Sequence, residues 1–512
     1  MKFTRFFTAC LIAALLMCLA AGAADFEKTN VYKNQFTDVP MEKWYAGSVK
    51  SVYELGLIKG TSDSTFSPNA EMSVAEAVTL ASRLHSIYNG TEITPSKKEG
   101  ARWFETYTEY CLANGIMANG QFDNFDRAVL SYEMVYLFSN ALPAEYFPQI
   151  NKITAVPDVP KALFFEKSVL GFYNAGILNG NDKAGTFLPM STITRMRASA
   201  ILARIALPEE RISFSIPAPK DSYSVGEVLS LLDAQTVKDT LDGIDLIFTK
   251  DYTSTAAEYR YLAFALENDE QKILNEIKDC TSLIRLCKDL GVKISKASLD
   301  NIYYNYYDAK ASTYVGGADY YAALEAQKLS DAVYAKRSAL NQIVPEIISA
   351  VYDSLSPEKV FEYAKNNEYI RADHILIMNT TENAYETALK ILLEIKSGAS
   401  FDEKLREYGE DPGMLARETG YFFTKGYMVE PFEKAAYALG ENEISEIVVT
   451  DYGYHIIRRL PFEFEAFKAS ADYATVATNA SLESYKSLLS SAAAGLTLTF
   501  ADNYEGLASI LK

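Results

Sequence analysis

The sequence predicts a multidomain, helix-rich chain: an all-α bundle of three repeats, a mostly α lobe and a small α+β domain. Three observations carry this. Gly60, Gly120 and Gly180 close similar phrases at an interval of sixty residues, and self-similarity at a fixed period marks one supersecondary unit used repeatedly. A proline-rich break at 207–220 ends the repeats, and helical stripes follow it. Two of the three histidines, His374 and His455, then sit in alternating apolar runs that enclose a helical stretch. At 512 residues the chain is too long for one core.

The chain is 49% hydrophobic with moderate charge, a globular balance. Its formal charge of −18 argues against a nucleic-acid partner, which would need clustered Lys and Arg. Residues 1–24 read as a signal peptide: Lys2 and Arg5 precede the apolar run Ala9–Ala20, and Ala21-Gly22-Ala23-Ala24 offers small residues for cleavage. Met17 before Cys18 does not suit a lipid-attachment signal. No later stretch approaches the ~18 apolar residues of a membrane span. An exported, extracellular protein without a membrane span is expected. Two cysteines leave with the signal. The remaining three are an odd number with no bridging spacing or metal-ligand cluster, so neither a disulfide framework nor a metal is expected.

The repeats occupy about 35–90, 95–142 and 155–206. Their phrases are Y-E-L-G-L-I-K-G (53–60), C-L-A-N-G-I-M-A-N-G (111–120) and F-Y-N-A-G-I-L-N-G (172–180). Each unit predicts a helix, a Gly-stopped turn, a loop and a second helix, such as Val74–His85 or Arg195–Ala206. The pattern resembles S-layer homology domains, three of which form a pseudo-threefold bundle that binds cell-wall polysaccharide. The second repeat fits less well, lacking the opening Asp-Val. The resemblance implies glycan contacts from Asp38, Trp44, Asp158 and Arg195. Arg195 is the sole basic residue at the position where the family places an arginine. A purely structural bundle is the alternative. His85 is expected on the surface.

Residues 207–220 predict a semi-rigid extended spacer. Residues 221–365 predict helices, with tyrosines crowding Ile302–Tyr307. A helical region before an α+β module and fifty residues after it (463–512) resembles the organisation of bacterial SurA and PrsA foldases. That resemblance implies a chaperone-like lobe on which 463–512 packs. A plain helical spacer, with tyrosines as packing residues, is the alternative to a tyrosine surface that holds unfolded chains.

The module spans 366–462. Ala372, His374 and Leu376 share one strand face, as do His455 and Ile457. Taken alone, that spacing suits two hydrogen-bonded core histidines. Helices are expected at Tyr385–Ile395, capped by Thr380 or Thr381, at Phe401–Tyr408 and at Pro431–Leu439, with strands at Ile447–Thr450 and Tyr454–Leu460. The pieces A-D-H-I-L-I (372–377), Y-G-E-D (408–411), G-Y-F-F-T-K-G-Y-M-V-E-P-F-E (420–433) and V-T-D-Y-G-Y-H-I-I (449–457) resemble a parvulin-type peptidyl-prolyl cis-trans isomerase. The resemblance implies that His374, Asp411, His455 and Thr450 form the catalytic network. It implies that Met428, Phe432, Phe423 and Thr419 contact substrate, with no cofactor. Thr419 stands where the family has an apolar leucine. The loop Asn379–Glu382 lacks the basic cluster of phosphate-reading parvulins. The expected function is a wall-anchored foldase acting on newly exported polypeptides with X-Pro bonds. A non-catalytic wall-bound chaperone or S-layer component is the alternative.

Overall fold

The computed structural model describes residues 26–315 and 320–512. The signal segment 1–24 and Gly316-Gly317 lie outside them. Six helices form the N-terminal bundle: α1 (Ala46–Glu54), α2 (Val74–Asn89), α3 (Glu105–Ala113), α4 (Ser131–Ala141), α5 (Glu166–Asn174) and α6 (Arg195–Ala206). They are three copies of one helix pair. In each copy the first helix is stopped by a glycine in the left-handed region, Gly56, Gly115 or Gly176, with φ of 70°, 69° and 72°. The helix stop therefore lies inside each phrase, ahead of the closing Gly60, Gly120 or Gly180. A residue with a Cβ would be strained there, which explains why glycine recurs.

Three backbone hydrogen bonds close the bundle into a ring. Met72 donates to Ile193, Ile193 to Val129 and Val129 to Met72, at 2.9, 3.4 and 2.8 Å. All three residues are buried, and each precedes the second helix of its repeat, so each repeat is tied to both others. The same symmetry governs side chains. Arg83, Asn140 and Arg204 each donate to the carbonyl of Leu57, Ile116 or Ile177 in their own repeat.

The residues after the bundle are not a free spacer. Pro208–Glu210 forms a 3-10 turn. Ile212 then donates to Gly176 and Phe214 to Asn151, while Phe214 and Ile216 pack on the bundle core. The segment is extended, as its prolines require, but docked along the third repeat.

The middle of the chain contains β1 (Ser222–Tyr223), α7 (Val225–Asp233), β2 (Asp245–Phe248), β3 (Thr253–Thr255), α8 (Ala256–Ala265), α9 (Glu270–Asp289), β4 (Ile294–Ser295), α10 (Lys296–Val315), α11 (Tyr320–Ala326) and α12 (Asp331–Gln342). Next come α13 (Val344–Ser354), α14 (Pro357–Asn366), β5 (Ile370–Met378), α15 (Ala384–Lys396), α16 (Phe401–Tyr408), α17 (Pro412–Leu415), β6 (Tyr421–Phe423), α18 (Glu430–Ala438), β7 (Val448–Thr450) and β8 (Gly453–Leu460). The chain ends with α19 (Phe464–Lys468), α20 (Tyr473–Ala494), β9 (Thr499–Phe500) and α21 (Tyr504–Leu511).

These elements fall into two bodies. Among the described residues, one holds those from 26 to Ile277, Lys293–Ile343 and Leu498–Lys512; the other holds Lys278–Val292 and Val344–Thr497. The stretch 221–365 is thus divided rather than a single lobe. The last segment divides too: α20 packs on α13 and α14, whereas β9 adds to β2 and α21 packs on α8.

In the first body three tyrosines of α10 turn inward, while Tyr304 is exposed. Tyr303, Tyr306 and Tyr307 are buried. The Tyr307 hydroxyl donates to the Asp158 carbonyl, and the Tyr306 hydroxyl to Asp331, which is itself paired with buried Lys310 at 2.8 Å. They are core, not a chain-holding surface. His85 is likewise half-buried, its Nδ1 2.9 Å from the Tyr110 hydroxyl.

In the second body β6, β5, β8 and β7 form an antiparallel sheet in that order. β6 and α17 were not anticipated from the sequence; three or four residues carry no periodicity. Alternation along β5 separates two faces. Ile375, Ile377 and Ile456 face Ala388, Ile391, Leu392 and Ile395 of α15. Ile370, Ala372 and Ile457 face Phe432 and Ala436 of α18. The cap of α15 is Asn383 in the left-handed conformation, while Thr381 bonds Glu410. Among the described residues no helix is long and apolar enough to cross a membrane.

Candidate active site

The β5–β8 register brings the two histidines together. Leu376 opposes His455 and His374 opposes Ile457, so the imidazoles are diagonal neighbours on one face. Their ring centroids are 5.1 Å apart. Phe432 meets both edge-on, at 5.1 Å from His374 and 5.4 Å from His455. Phe432 sits in the first turn of α18, next to Pro431, whose missing N–H is harmless at a helix start. Phe423 lies 6.0 Å from Phe432, and Met428 packs at the edge of the same cluster. Together they give a floor of aromatic rings and a thioether beneath two imidazoles.

Asp411 closes one side. It caps α17, with Oδ1 accepting from the Gly413 amide at 2.9 Å, and Oδ2 accepts from the Tyr421 hydroxyl at 3.0 Å. The preceding residue fastens this loop to the sheet: the Glu410 amide donates to Leu376, and its carboxylate accepts from Thr381. Asp411 Oδ2 is 3.2 Å from His374 Nε2, although Nε2 meets no hydrogen-bond geometry. Contact with His374 holds the Asp411 carboxyl down at about 2 against the opposing effect of burial. It is therefore a carboxylate at neutral pH.

His455 is buried, and that burial, with His374 beside it, lowers its pKa to about 4. Its Nε2 is 2.8 Å from Thr450 Oγ1, which also accepts from the Tyr452 amide. Nδ1 of His374 and Nδ1 of His455 are buried without a hydrogen-bond partner.

Of the predicted substrate contacts, Phe432, Phe423 and Met428 share the histidine face. Thr419 does not join that cluster; what the structure fixes there is its carbonyl, which accepts from Arg371 Nε at 2.6 Å. Tyr421, which the sequence reading passed over, touches Asp411 and lies parallel to His374 at 6.0 Å. The alternation that puts Phe423 on this face also puts Tyr421 there, since they pair with Ile370 and Ala372.

The glycan set inferred for the repeats divides differently. Asp38 accepts from the amides of Phe66 and Ser67, and Asp158 from those of Phe187 and Leu188, all at 2.7–2.8 Å. Asp158 also accepts from Gln235 and is fully buried. Both carboxylates hold a loop whose second residue, Ser67 or Leu188, has φ of 57°, so neither is aimed at a ligand. Arg195 is 6% exposed. It donates to the carbonyls of Phe66 and Lys59 and to Glu76, and covers the Phe66 ring. It joins the third repeat to the first. A buried fork already matched to two carbonyls and a carboxylate is a structural tie.

Trp44 alone of that set is open, at 65% exposure, as are its counterparts Trp103 and Phe164. Each precedes a buried aromatic that begins the first helix of its repeat: Tyr45, Phe104 and Phe165. Trp44 borders a groove of about 540 Å³ lined by Asn179, Asn181, Arg197 and Arg204 of the third repeat. Arg197, two residues beyond the inferred position, presents the groove with a guanidinium.

Residues 356–460 match the family described as the PPIC-type PPIASE domain, and residues 35–78 the S-layer homology domain. Foldase protein PrsA 1 of Bacillus cereus is 43% identical over 91 residues, 17% of this chain and 30% of that protein. Foldase protein PrsA of Geobacillus kaustophilus is 40% identical over 114 residues, 22% of this chain and 38% of that protein. The solution structure of NmPin, the parvuline of Nitrosopumilus maritimus, is 39% identical and covers 18% of this chain and 96% of its own, with a TM-score of 0.16. The chain spans about a third of the length of these two curated relatives. It carries a parvulin-type domain and an S-layer homology region.

Proposed function

We propose that this chain is an exported prolyl cis-trans isomerase and foldase, held at the cell surface by its N-terminal repeats and acting on newly exported polypeptides. The observation that carries this reading is the pair His374 and His455 over Phe432, with the Asp411 carboxylate at its edge. The reaction needs no nucleophile. An X-Pro amide resists rotation by ~20 kcal/mol because twisting removes its conjugation. In the planar amide the nitrogen donates charge to the carbonyl oxygen. A carboxylate fixed beside that oxygen disfavours the charge-separated form and so favours the twisted one, where the oxygen is less negative. Phe432, Phe423 and Met428 take the proline ring and exclude water, and the neutral His455 with Thr450 keeps the wall of the site uncharged. No metal or cofactor enters this scheme.

The test is isomerisation of X-Pro peptides by the full chain beside its Asp411→Asn variant. Acceleration above the thermal rate, reduced at least tenfold in the variant, is expected. A thermal rate for the wild type would favour the chaperone or S-layer reading.

For anchoring, the groove between Trp44 and Arg197 suits an anionic wall polysaccharide: an aromatic face for a sugar ring and a guanidinium for a carboxylate or phosphate. Sedimentation of the full chain with purified wall fragments, lost in Trp44→Ala and Arg197→Ala, tests it. Failure of the wild type to sediment would leave a secreted protein.

A further inference from the structure

We propose that Tyr421 is a positioning residue of the isomerase centre, and that Asp472, in the segment following the module, holds it there through Arg417. The inference rests on the functional reading above. Tyr421 is the side chain that meets both Asp411 and His374: its hydroxyl donates to Asp411 Oδ2 at 3.0 Å, and its ring lies within 11° of parallel to His374. Asp411 Oδ1 is fixed by the Gly413 amide. With Oδ1 as one anchor, Tyr421 supplies the second, which sets the plane of the carboxylate. Without the hydroxyl the carboxylate is free to turn about its Cβ–Cγ bond, and its contact with His374 is no longer fixed.

Tyr421 is itself clamped. Arg417 places its guanidinium 4.5 Å from the centre of the Tyr421 ring. Arg417 Nη2 donates to Asp472 Oδ1 at 3.1 Å. The other oxygen of Asp472 accepts from the amide of Phe422, the neighbour of Tyr421 in β6, at 2.9 Å. One carboxylate thus fixes both the cation above the ring and the strand that carries it. Asp472 lies just before α20, outside 366–462, so a module cut at 462 would lose the clamp while keeping every residue of the histidine face. Phe432, at the centre of the aromatic floor, lies on α18 rather than on the strand that Asp472 holds.

Positioning and packing roles separate in the full chain. Tyr421→Phe keeps the ring and removes the hydroxyl. It should lower kcat roughly fivefold to tenfold, since a hydrogen bond to a charged group is lost, and leave KM unchanged, since the proline floor is intact. In an Asp411→Asn background the same change should have no further effect, because Tyr421 acts through Asp411. Asp472→Asn should lower kcat in the same direction, by about threefold. Wild-type kcat in Tyr421→Phe, or a loss that adds in full to that of Asp411→Asn, overturns the proposal. Wild-type kcat in Asp472→Asn overturns the clamp.

A readout independent of turnover is the His374 ring resonance in 13C-histidine-labelled chain at neutral pH. It should move in both variants while that of His85 stays. An unmoved His374 overturns the proposal even if the wild type proves inactive, in which case the functional reading fails separately. Should Tyr421→Phe melt, Asp472→Asn, whose side chain still accepts a hydrogen bond, carries the test alone.

Discussion

Acid should loosen the isomerase module before it titrates its carboxylates, and the cause is His455. Burial and the neighbouring His374 lower its pKa from 6.5 to about 4. Between those values the unfolded chain binds a proton that the folded module refuses, so stability rises with pH across the window. It is fully present above pH 6.5 and falls as the pH drops towards 4. At ~1.4 kcal/mol per pKa unit the loss is roughly 2 kcal/mol between pH 7 and 5, and about 3 kcal/mol by pH 4. Both tryptophans, Trp44 and Trp103, lie in the repeat bundle, so their fluorescence does not follow the module. The three histidines do better: in a 13C-histidine-labelled chain the His374 and His455 resonances report the module and His85 the bundle. His455 should titrate near 4, and the urea midpoint of the module resonances should fall from pH 7 to 5. A His455 midpoint at 6.5, or a urea midpoint that is the same at both pH values, would refute the reasoning.

Other outcomes follow from packing. Phe432→Ala removes a buried ring that touches both histidines and should destabilise the module by about 3–5 kcal/mol, with loss of isomerisation, measured by urea unfolding of the module resonances and by peptide turnover. Arg195→Ala should destabilise the bundle by about 2–3 kcal/mol, because two carbonyls lose their donors; tryptophan fluorescence in urea checks it, and a folded Arg195→Ala should still sediment with wall fragments when Arg197→Ala does not. Asp158→Ala should destabilise more than Asp38→Ala, since Asp158 also takes Gln235 and is fully buried; paired melting curves decide.

The histidine face was legible because its signal is local. Two-residue alternation around His374 and His455 puts them among apolar neighbours whatever the rest of the chain does, and the flanking motifs supply the pairing. Tyr421 lay within the same alternation and was passed over because β6 is three residues long. The repeats were legible for a similar reason, although the glycines that stop their helices are Gly56, Gly115 and Gly176. The roles of Asp38, Asp158 and Arg195 were not legible. Each is decided by a partner far along the chain: Phe66 is 28 residues from Asp38, and 129 from Arg195. A motif gives the residue type at a position, but not whether a distant carbonyl or amide already occupies it. The division of the middle region was hidden likewise, since β9, the strand that returns the C-terminal segment to β2, is too short to show a period.

The central claim is catalysis rather than mere holding of chains, and refolding of a protein limited by a slow X-Pro isomerisation tests it most directly. Substoichiometric amounts of the full chain should speed the slow phase in proportion to their concentration, and Asp411→Asn should not. A slow phase that keeps its rate while aggregation is suppressed would contradict the account and leave a chaperone without isomerase activity.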